Sequence, residues 1–472
     1  MNPFLNPITS LRILRRYLTD PDRIKKYDVE KIKKYRDRAF KKIVKYAYTV
    51  PLYHEKYKKA GVHPNDIRGI KDIVKLPFIT KNDLRDNFPD RIIPVGYNKD
   101  KAHIVCTGGT TGKPVSIYVD FITIAQASIN ALRELRFFGF SWNKSRIVQI
   151  GNQSQYRIDL VVEKNFLSHI RSLFSMENFL NMDVNEPIKE IMNKLDKFKP
   201  ELILTYPAIH QHLAYLKRKG YGENVNPKLL WTGGAMLDDY TRRYVEDAFG
   251  CRLLNVYPSV EVQSNIAFEC LEGTWHINSD LFHVEAIDDD GELVSPGERG
   301  HIVVTRLWGR GTPIIRYTGM DDWVRILPDE KCSCGLRTPV LINGVEGRAR
   351  ANIVLPSGKI FPPGAFCFIS PVLHKLNTFK VRQYQIVQRK IDEIEVLLVI
   401  DNDLRDVGPS VELISEKIKE TYREKVGPGV KITVREVEEI KNDKNPNKPP
   451  PIVVSYVKPE NGIRILDKRE SQ

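Results

Sequence analysis

The most informative stretch of this chain is Thr107-Gly108-Gly109-Thr110-Thr111-Gly112-Lys113-Pro114. Glycines let a backbone turn approach anionic oxygens closely, threonine hydroxyls donate hydrogen bonds, and the lysine adds positive charge. A Walker A loop would need Gly in place of Thr107 and Ser or Thr in place of Pro114, and the dinucleotide pattern G-x-G-x-x-G is absent as well. We therefore interpret the stretch as a phosphate-binding loop of another type, with a plain turn between strands as the alternative.

The sequence around this loop predicts an α/β fold. Apolar stretches at Ile104-Val105, 146–150 and 201–204 alternate with longer segments of helical periodicity, which favours a mainly parallel sheet. About the first 100 residues are predicted to be helical and basic. After Gly347-Arg348 we expect a smaller α+β unit, which divides the chain into domains 1–347 and 348–472. Its predicted elements are strands over 383–390, 394–400 and 430–434 and a helix over 411–425.

The composition narrows the class of protein. Hydrophobic residues make up 42% of the 472 residues and charged residues 28%, which excludes a largely disordered chain. Lys and Arg number 73 against 59 Asp and Glu, so the formal net charge is +14. This charge suits a polyanionic partner: nucleic acid, a membrane surface or a phosphorylated small molecule. The sequence has neither a signal-peptide core nor a spanning apolar run, so we expect a cytoplasmic protein without a transmembrane segment.

Further motifs follow the loop in an order that resembles the adenylate-forming enzymes, which include acyl-CoA synthetases. Within them, the chain is most similar to phenylacetate-CoA ligases, coenzyme F390 synthetase-like proteins and capsular polysaccharide biosynthesis proteins. The resemblance implies a large N-terminal α/β domain of the acyl-CoA synthetase type and a small, mobile α+β C-terminal domain. The matching motifs are Trp231-Thr232-Gly233-Gly234-Ala235, Tyr257-Pro258-Ser259-Val260-Glu261, Pro313-Ile314-Ile315-Arg316-Tyr317 with Asp321, and Gly347-Arg348.

The resemblance also implies a nucleotide site. The loop residues Thr107, Gly108, Gly109, Thr110, Thr111, Gly112 and Lys113 would hold phosphates, and the backbone of Gly233, Gly234 and Ala235 would lie beside adenine. On its own chemistry, Tyr257 offers an aromatic face for adenine, and Glu261 a carboxylate for magnesium. The alternative is that neither residue binds a ligand, so that Tyr257 is a buried aromatic residue and Glu261 a solvated acid. Asp321 would bind the ribose hydroxyls, with its neighbour Asp322 as the rival.

Two basic residues are candidates for stabilising negative charge at the α-phosphate. Arg348 would contact ribose or phosphate, and Lys448, in Asn447-Lys448-Pro449, stands where the family has a catalytic Lys. The alternatives are that Arg348 is an ordinary surface residue and that Lys448 is a solvated lysine in a lysine-rich loop. Arg350 occupies the hinge position, where the family carries Asp or Lys, which puts the second half-reaction in doubt.

Three cysteines and one histidine form a candidate metal site within about residues 265–340. Three thiolates and one imidazole make a complete tetrahedral set, as in closed structural zinc sites. The residues are Cys270, His276, Cys332 and Cys334. Buried reduced cysteines with an unrelated surface His, or a Cys270–Cys334 disulfide, are the alternatives.

Taken with the resemblance, these motifs predict an enzyme. We expect it to activate a carboxylic acid, of aryl or arylacetic type, with ATP and magnesium, and then to transfer the acyl group to coenzyme A. Adenylyl transfer to a hydroxyl, as in coenzyme F390 synthetase-like proteins, is one alternative. A basic zinc-containing nucleic-acid-binding protein is the other, but the basic residues are spread through the chain, so no nucleic-acid partner is expected. Many relatives form dimers, which leaves a homodimer open.

Overall fold

The computed structural model describes residues 2–107, 114–442 and 450–457. Within these ranges the helices are α1 (Pro7–Thr19), α2 (Arg23–Lys26), α3 (Val29–Ala47), α4 (Pro51–Lys59), α5 (Lys81–Asp86), α6 (Phe121–Phe137), α7 (Ile158–Val162), α8 (Ser168–Arg171), α9 (Ile188–Phe198), α10 (Pro207–Arg218), α11 (Asp239–Phe249), α12 (Ile369–Lys375) and α13 (Val411–Val426). None of them is long and apolar enough to cross a membrane.

The strands of the same residues are β1 (Ala102–Cys106), β2 (Ser116–Asp120), β3 (Ile147–Gly151), β4 (Phe179–Asp183), β5 (Leu202–Thr205), β6 (Leu229–Gly233), β7 (Leu253–Ser259), β8 (Ser264–Glu269), β9 (Trp275–Ile277), β10 (Phe282–Ile287), β11 (Arg299–Arg306), β12 (Asp322–Lys331), β13 (Arg337–Arg348), β14 (Ile353–Val354), β15 (Ile360–Phe361), β16 (Val381–Lys390), β17 (Glu393–Ile400), β18 (Lys431–Glu436) and β19 (Val453–Ser455). Each of the strands predicted from sequence is present.

The main sheet has eleven of the described strands, in the order β10-β11-β12-β13-β9-β8-β7-β6-β5-β3-β4. The strands β4, β3, β5, β6 and β7 pair in parallel, whereas every pairing from β7 to β10 is antiparallel. The prediction of a mainly parallel sheet is therefore wrong for the sheet as a whole. The short connections after β7 form antiparallel turns, whereas parallel pairing needs long crossovers.

Helices cover both faces of the parallel half. On one face, Leu135 of α6 packs with Trp231 and Leu254. On the other, the buried residues of α9, α10 and α11 pack against β3, β5 and β6. The helix α6 begins at Phe121 because the Asp120 carboxylate accepts a hydrogen bond from the Thr123 amide, which caps the helix. The carboxyl ends of β5, β6 and β7 are thus held at one edge of the sheet.

The chain ends in a small α+β domain with its own four-stranded sheet, ordered β18-β17-β16-β19. Its core is built from β16, β17, α12 and α13 and includes one residue of the large domain, Tyr240 on α11. Next to it, Ser370 donates a hydrogen bond to Asp238 over 3.0 Å. The predicted fold class, a large α/β domain with a small α+β domain, is confirmed. The boundary near Gly347 stays a prediction.

A buried ionic cluster ties the N-terminal helices to the main sheet. Asp280, between β9 and β10, accepts from Arg133 of α6 over 2.7 Å and from Arg23 of α2 over 2.9 Å. Burial alone would raise the pKa of Asp280, but the two guanidinium groups outweigh it and hold that pKa below its ordinary value. The carboxylate thus joins three segments that lie far apart in sequence.

The substitution Asp280→Ala tests this cluster. It would remove the one carboxylate shared by two buried guanidinium groups and leave them only Asp20 and Asn278 as side-chain partners, so we expect the free energy of unfolding to fall by about 3–5 kcal/mol. Chemical denaturation followed by circular dichroism measures the change. The matched control is Lys26→Ala, which removes the exposed partner of Asp22 and should cost less than about 1 kcal/mol. Equal effects of the two substitutions would contradict the role given to Asp280.

Candidate functional site

One cavity of about 1640 Å³ lies at the carboxyl ends of β5, β6 and β7 and extends to the small domain. Open α/β sheets bind their ligands at this edge. The sequence motifs meet there, since the lining includes Thr107, Gly233, Gly234, Ala235, Tyr257, Glu261, Asp321, Asp322 and Arg348. The loop residues Gly108–Lys113 and the candidate Lys448 lie outside the described residues, but Asn442 and Pro450, on either side of the lysine's segment, line the same cavity.

The backbone at Gly233 and Gly234 forms a close wall of this cavity. A Cβ atom at position 233 would lie 2.9 Å from the Val256 carbonyl oxygen, and Gly234 has a φ of +75°. Side chains fit poorly at both positions, because the first is crowded and the second needs a left-handed backbone. A flat ring can therefore come close to this backbone.

The aromatic ring of Tyr257 is held by its hydroxyl group, which donates to Asp322 over 2.6 Å. Burial raises the pKa of Tyr257 well above its ordinary value, and the adjacent carboxyl adds to the shift. Burial also raises the pKa of Asp322, against the opposing charge of Arg348. In the β12–β13 pairing, Asp322 lies directly opposite Arg348.

Asp321 and Asp322 both line the cavity, but they differ in backbone conformation and in the hydrogen bonds that they make. Asp321 has a φ of +61°, and its carbonyl oxygen accepts a hydrogen bond from the Ala349 amide over 2.9 Å. The carboxyl group of Asp322 is already engaged by Tyr257. Both residues stay candidates for the ribose hydroxyls.

Glu261 is buried between two hydroxyl groups. Tyr317 donates to one carboxylate oxygen over 3.2 Å, and Ser259 donates to the other over 2.8 Å. Its hydrogen-bond partners among the described residues are thus neutral. A carboxylate in this state keeps lone pairs and charge for a cation, so Glu261 fits a magnesium ligand by chemistry.

Asn255 was missed by the sequence reasoning. It lies on β7 two residues before Tyr257, lines the cavity, and is 8% exposed. Its Oδ1 atom has no hydrogen-bond partner among the described residues. The sequence does contain a signal for this residue, since Asn255 interrupts the apolar run Leu253-Leu254-Asn255-Val256. A side-chain amide buried in a strand needs a hydrogen-bond partner, which indicates a ligand or another polar group beside it.

The four candidate metal ligands come together outside the cavity, where the β8–β9 and β12–β13 turns lie side by side. Their ligand atoms all lie within 4.8 Å of one another. Cys334 Sγ is 3.2 Å from His276 Nε2, while His276 Nδ1 is 2.9 Å from the Thr338 hydroxyl. His276 is fully buried and all the cysteines are free thiols, so neither a surface His nor a Cys270–Cys334 disulfide describes the cluster. Its ligand set fits zinc, and the Thr338 contact fixes the imidazole orientation.

No protein-family model matches the chain. It is 26% identical over 433 residues to a phenylacetate-coenzyme A ligase of Thermus thermophilus, covering 86% of this chain and 92% of that protein. It is 28% identical to the Escherichia coli enzyme of the same name, covering 73% and 77%. Protein CapK of Staphylococcus aureus is 25% identical, with 75% and 74% covered.

Among solved structures, a 2-hydroxyisobutyryl-CoA ligase in its postadenylation state matches with a TM-score of 0.75 and 18% identity, covering 96% of this chain and 94% of that one. This likeness shows that the two chains share a fold. The resemblance predicted from sequence is confirmed, since the curated homologues are phenylacetate-coenzyme A ligases and CapK.

The substitution Tyr257→Phe tests the contact that holds the aromatic ring. Removing the hydroxyl leaves the half-buried Asp322 without its donor, so we expect the free energy of unfolding to fall by about 1–2 kcal/mol. The control is Tyr57→Phe, because the buried Tyr57 hydroxyl has no partner among the described residues. We expect that change to be neutral or stabilising in the same denaturation experiment. A stable Tyr257→Phe variant would contradict the proposed contact.

Proposed function

We propose that this protein is an AMP-forming carboxylate–CoA ligase. It activates a carboxylic acid with ATP to an acyl-adenylate, releases pyrophosphate, and transfers the acyl group to coenzyme A. The observation that carries the proposal is that residues of five motifs from distant parts of the chain line one cavity at the ligand-binding edge of the sheet, with Thr107 standing for the loop and Asp321 for the fourth motif. The curated relatives named phenylacetate-coenzyme A ligase cover most of the chain, which supports the same activity.

In this proposal the cavity positions the nucleotide. The Tyr257 ring stacks on adenine, fixed in orientation by its bond to Asp322. The Asn255 Oδ1 atom accepts a hydrogen bond from the adenine amino group. Asp321 or Asp322 accepts from the ribose hydroxyls, and Thr107 begins the loop around the phosphates. Lys113 belongs to the same loop.

The reaction itself is an in-line attack of a substrate carboxylate oxygen on the α-phosphate. The protein aligns the two reactants and neutralises charge that develops in the transition state. Arg348 lines the cavity opposite Asp322 and serves as one positive group, with Lys448 as the other. Glu261 would hold magnesium, which offsets the charge of the phosphates when bound.

The first experiment measures ATP–pyrophosphate exchange dependent on a carboxylic acid. We expect the wild-type protein to catalyse exchange, and Arg348→Met to lower the rate about 10²-fold, because a donor to the developing charge is lost. The control Arg435→Met removes an exposed guanidinium that pairs with Glu395 on β17 and should exchange normally. Absence of exchange with a broad acid panel and folded protein would contradict adenylation.

Product analysis by mass spectrometry then identifies the acceptor. With coenzyme A present we expect an acyl thioester and free AMP. AMP retained on a hydroxyl acceptor would contradict the thioester step and favour adenylyl transfer.

We also propose that Cys270, His276, Cys332 and Cys334 hold a structural zinc ion. Four protein ligands complete a tetrahedral site and leave no open position for chemistry. Cys270 belongs to the β8–β9 turn, His276 to β9, and Cys332 and Cys334 to the β12–β13 turn, so zinc would fasten the β8–β9 hairpin to the β12–β13 turn.

Elemental analysis of the purified chain tests the zinc site. We expect one zinc ion per chain, and its loss in Cys334→Ser together with a lower melting temperature, since the metal contributes folding free energy. The control Cys251→Ser changes a thiol outside the cluster and should keep the metal. Zinc-free protein from zinc-supplemented cells, or equal zinc in both variants, would contradict the site.

A further inference from the structure

The helix α1 lies on the outside of the protein and packs against the rest of the chain by one side. Ile13 is the one residue of Pro7–Thr19 that is fully buried. Four residues later, the Tyr17 hydroxyl accepts a hydrogen bond from the indole nitrogen of Trp142 over 3.1 Å. The guanidinium group of Arg136, on α6, lies over the Tyr17 ring at 4.7 Å from its centre. These contacts hold α1 against α6.

The other side of α1 is apolar and exposed. Its apolar residues follow one another at intervals of three or four, which places them along one side of the helix, and a further leucine comes just before the helix begins. All five residues are more than half exposed. We call these residues the α1 face: Leu5, Ile8, Leu11, Leu14 and Leu18.

The α1 face is formed before any partner binds. The Asn6 side chain accepts hydrogen bonds from the amides of Ile8 and Thr9 over 3.0 and 3.1 Å, and Pro7 occupies the first helical position. A cap and a proline of this kind fix the start of a helix. Docking through the face therefore costs little conformational entropy.

Positive charge surrounds this face. Two segments lie next to α1: residues 141–146, through the bond from Trp142 to Tyr17, and residues 168–175, through the Asn2 side chain, which donates to the His169 carbonyl oxygen over 3.2 Å. These two segments and residues 2–19 contain no Asp or Glu. The basic residues of the three segments are Arg12, Arg15, Arg16, Lys144, Arg146 and Arg171.

Two of the arginines stand beside the α1 face itself. Arg12 follows Ile8 by four residues and Arg15 follows Leu11 by four, so each lies one turn further along the same side of the helix. Both are exposed and have no ion-pair partner in the part of the chain that the structure describes. The methylene stem of an arginine can lie on an apolar surface while its guanidinium group reaches a charged boundary.

The combination of apolar surface and positive charge selects the partner. A contiguous exposed apolar surface marks a protein or membrane interaction site. A second copy of the chain would meet the face in an isologous pair, in which each patch lies against itself. The basic groups of one copy would then face those of the other, so charge disfavours self-association. An anionic lipid bilayer offers negative headgroups to the arginines and hydrocarbon to the leucines.

We propose that α1 docks this protein on the surface of anionic membranes. The helix lies along the bilayer, with the α1 face in the outer part of the hydrocarbon and Arg12 and Arg15 at the level of the headgroups. The proposal adds a binding partner and does not depend on the adenylation activity. No residue of α1 lines the cavity, so docking and catalysis can be measured separately.

The test is co-sedimentation of the full-length protein with lipid vesicles. One set is phosphatidylcholine alone, and the other contains equal parts of phosphatidylcholine and phosphatidylserine. We expect the protein to sediment with the mixed vesicles and much less with phosphatidylcholine alone. Added salt should release it, because salt screens the arginines from the headgroups.

Two pairs of substitutions test the two components of the face. Leu11→Gln with Leu18→Gln should lower the partition coefficient at least about tenfold, because less apolar area leaves water on binding. Arg12→Gln with Arg15→Gln should lower it about tenfold or more for the mixed vesicles, because two charges near the headgroups are lost. All four residues are exposed, so the variants should fold, which circular dichroism checks.

Matched controls make the same changes in the small domain. Val407→Gln with Leu413→Gln removes two other exposed apolar side chains. Arg423→Gln with Lys425→Gln removes two exposed positive charges at the end of α13. We expect both controls to bind vesicles as the wild type does. Equal losses in the controls and the α1 variants would show that the whole surface drives binding, and would overturn the proposal.

Other outcomes also decide against docking on membranes. Folded wild-type protein that stays in solution with mixed vesicles at low salt would overturn the proposal, and so would equal binding to both kinds of vesicle. Without vesicle binding, a dimer in analytical ultracentrifugation that Leu11→Gln with Leu18→Gln dissociates would assign the face to a second copy. Binding to polyglutamate in place of vesicles would assign it to an acidic protein. Pyrophosphate exchange should be unchanged in the α1 variants, and its absence from the wild type would contradict adenylation alone.

Discussion

The arrangement of the cavity depends on the hydrogen bond from the Tyr257 hydroxyl to Asp322. Tyr257 belongs to the end of β7 in the parallel half of the sheet, and Asp322 begins β12 in the antiparallel half. Asp322 in turn lies opposite Arg348, the last residue of β13. One carboxyl group thus brings the Tyr257 ring, the pair Asp321 and Asp322, and Arg348 into a single wall of the cavity.

The change from parallel to antiparallel pairing at β7 explains why the wall can form. Because β5, β6 and β7 are parallel, their carboxyl ends lie level at one edge of the sheet. Open α/β sheets bind nucleotides at this edge. The antiparallel strands beyond β7 return across the sheet and bring the start of β12 back to that edge. The net charge of +14 is larger than one nucleotide site would need, because such a site takes only a few positive groups.

Much of the fold and of the candidate site could be predicted from the sequence, because local sequence patterns indicate the strands, the helix caps and the glycine residues of the cavity wall. The cluster of Cys270, His276, Cys332 and Cys334 could also be predicted, because four side chains able to bind a metal stand near turns. Long-range pairing could not be predicted, because the antiparallel half of the sheet depends on register. A register shift follows Asp322, and the sequence alone does not show how Asp321 and Asp322 are placed.

The hairpin of β12 and β13 has a consequence for how disturbances travel through the protein. Its turn carries Cys332 and Cys334, and its open end carries Asp322 and Arg348. Ten residues of extended strand separate the two ends by roughly 30 Å. The hairpin therefore has the cluster of thiols at one end and a wall of the cavity at the other. A change in the thiol cluster would act on the cavity indirectly, through the two strands, without altering any side chain that lines it.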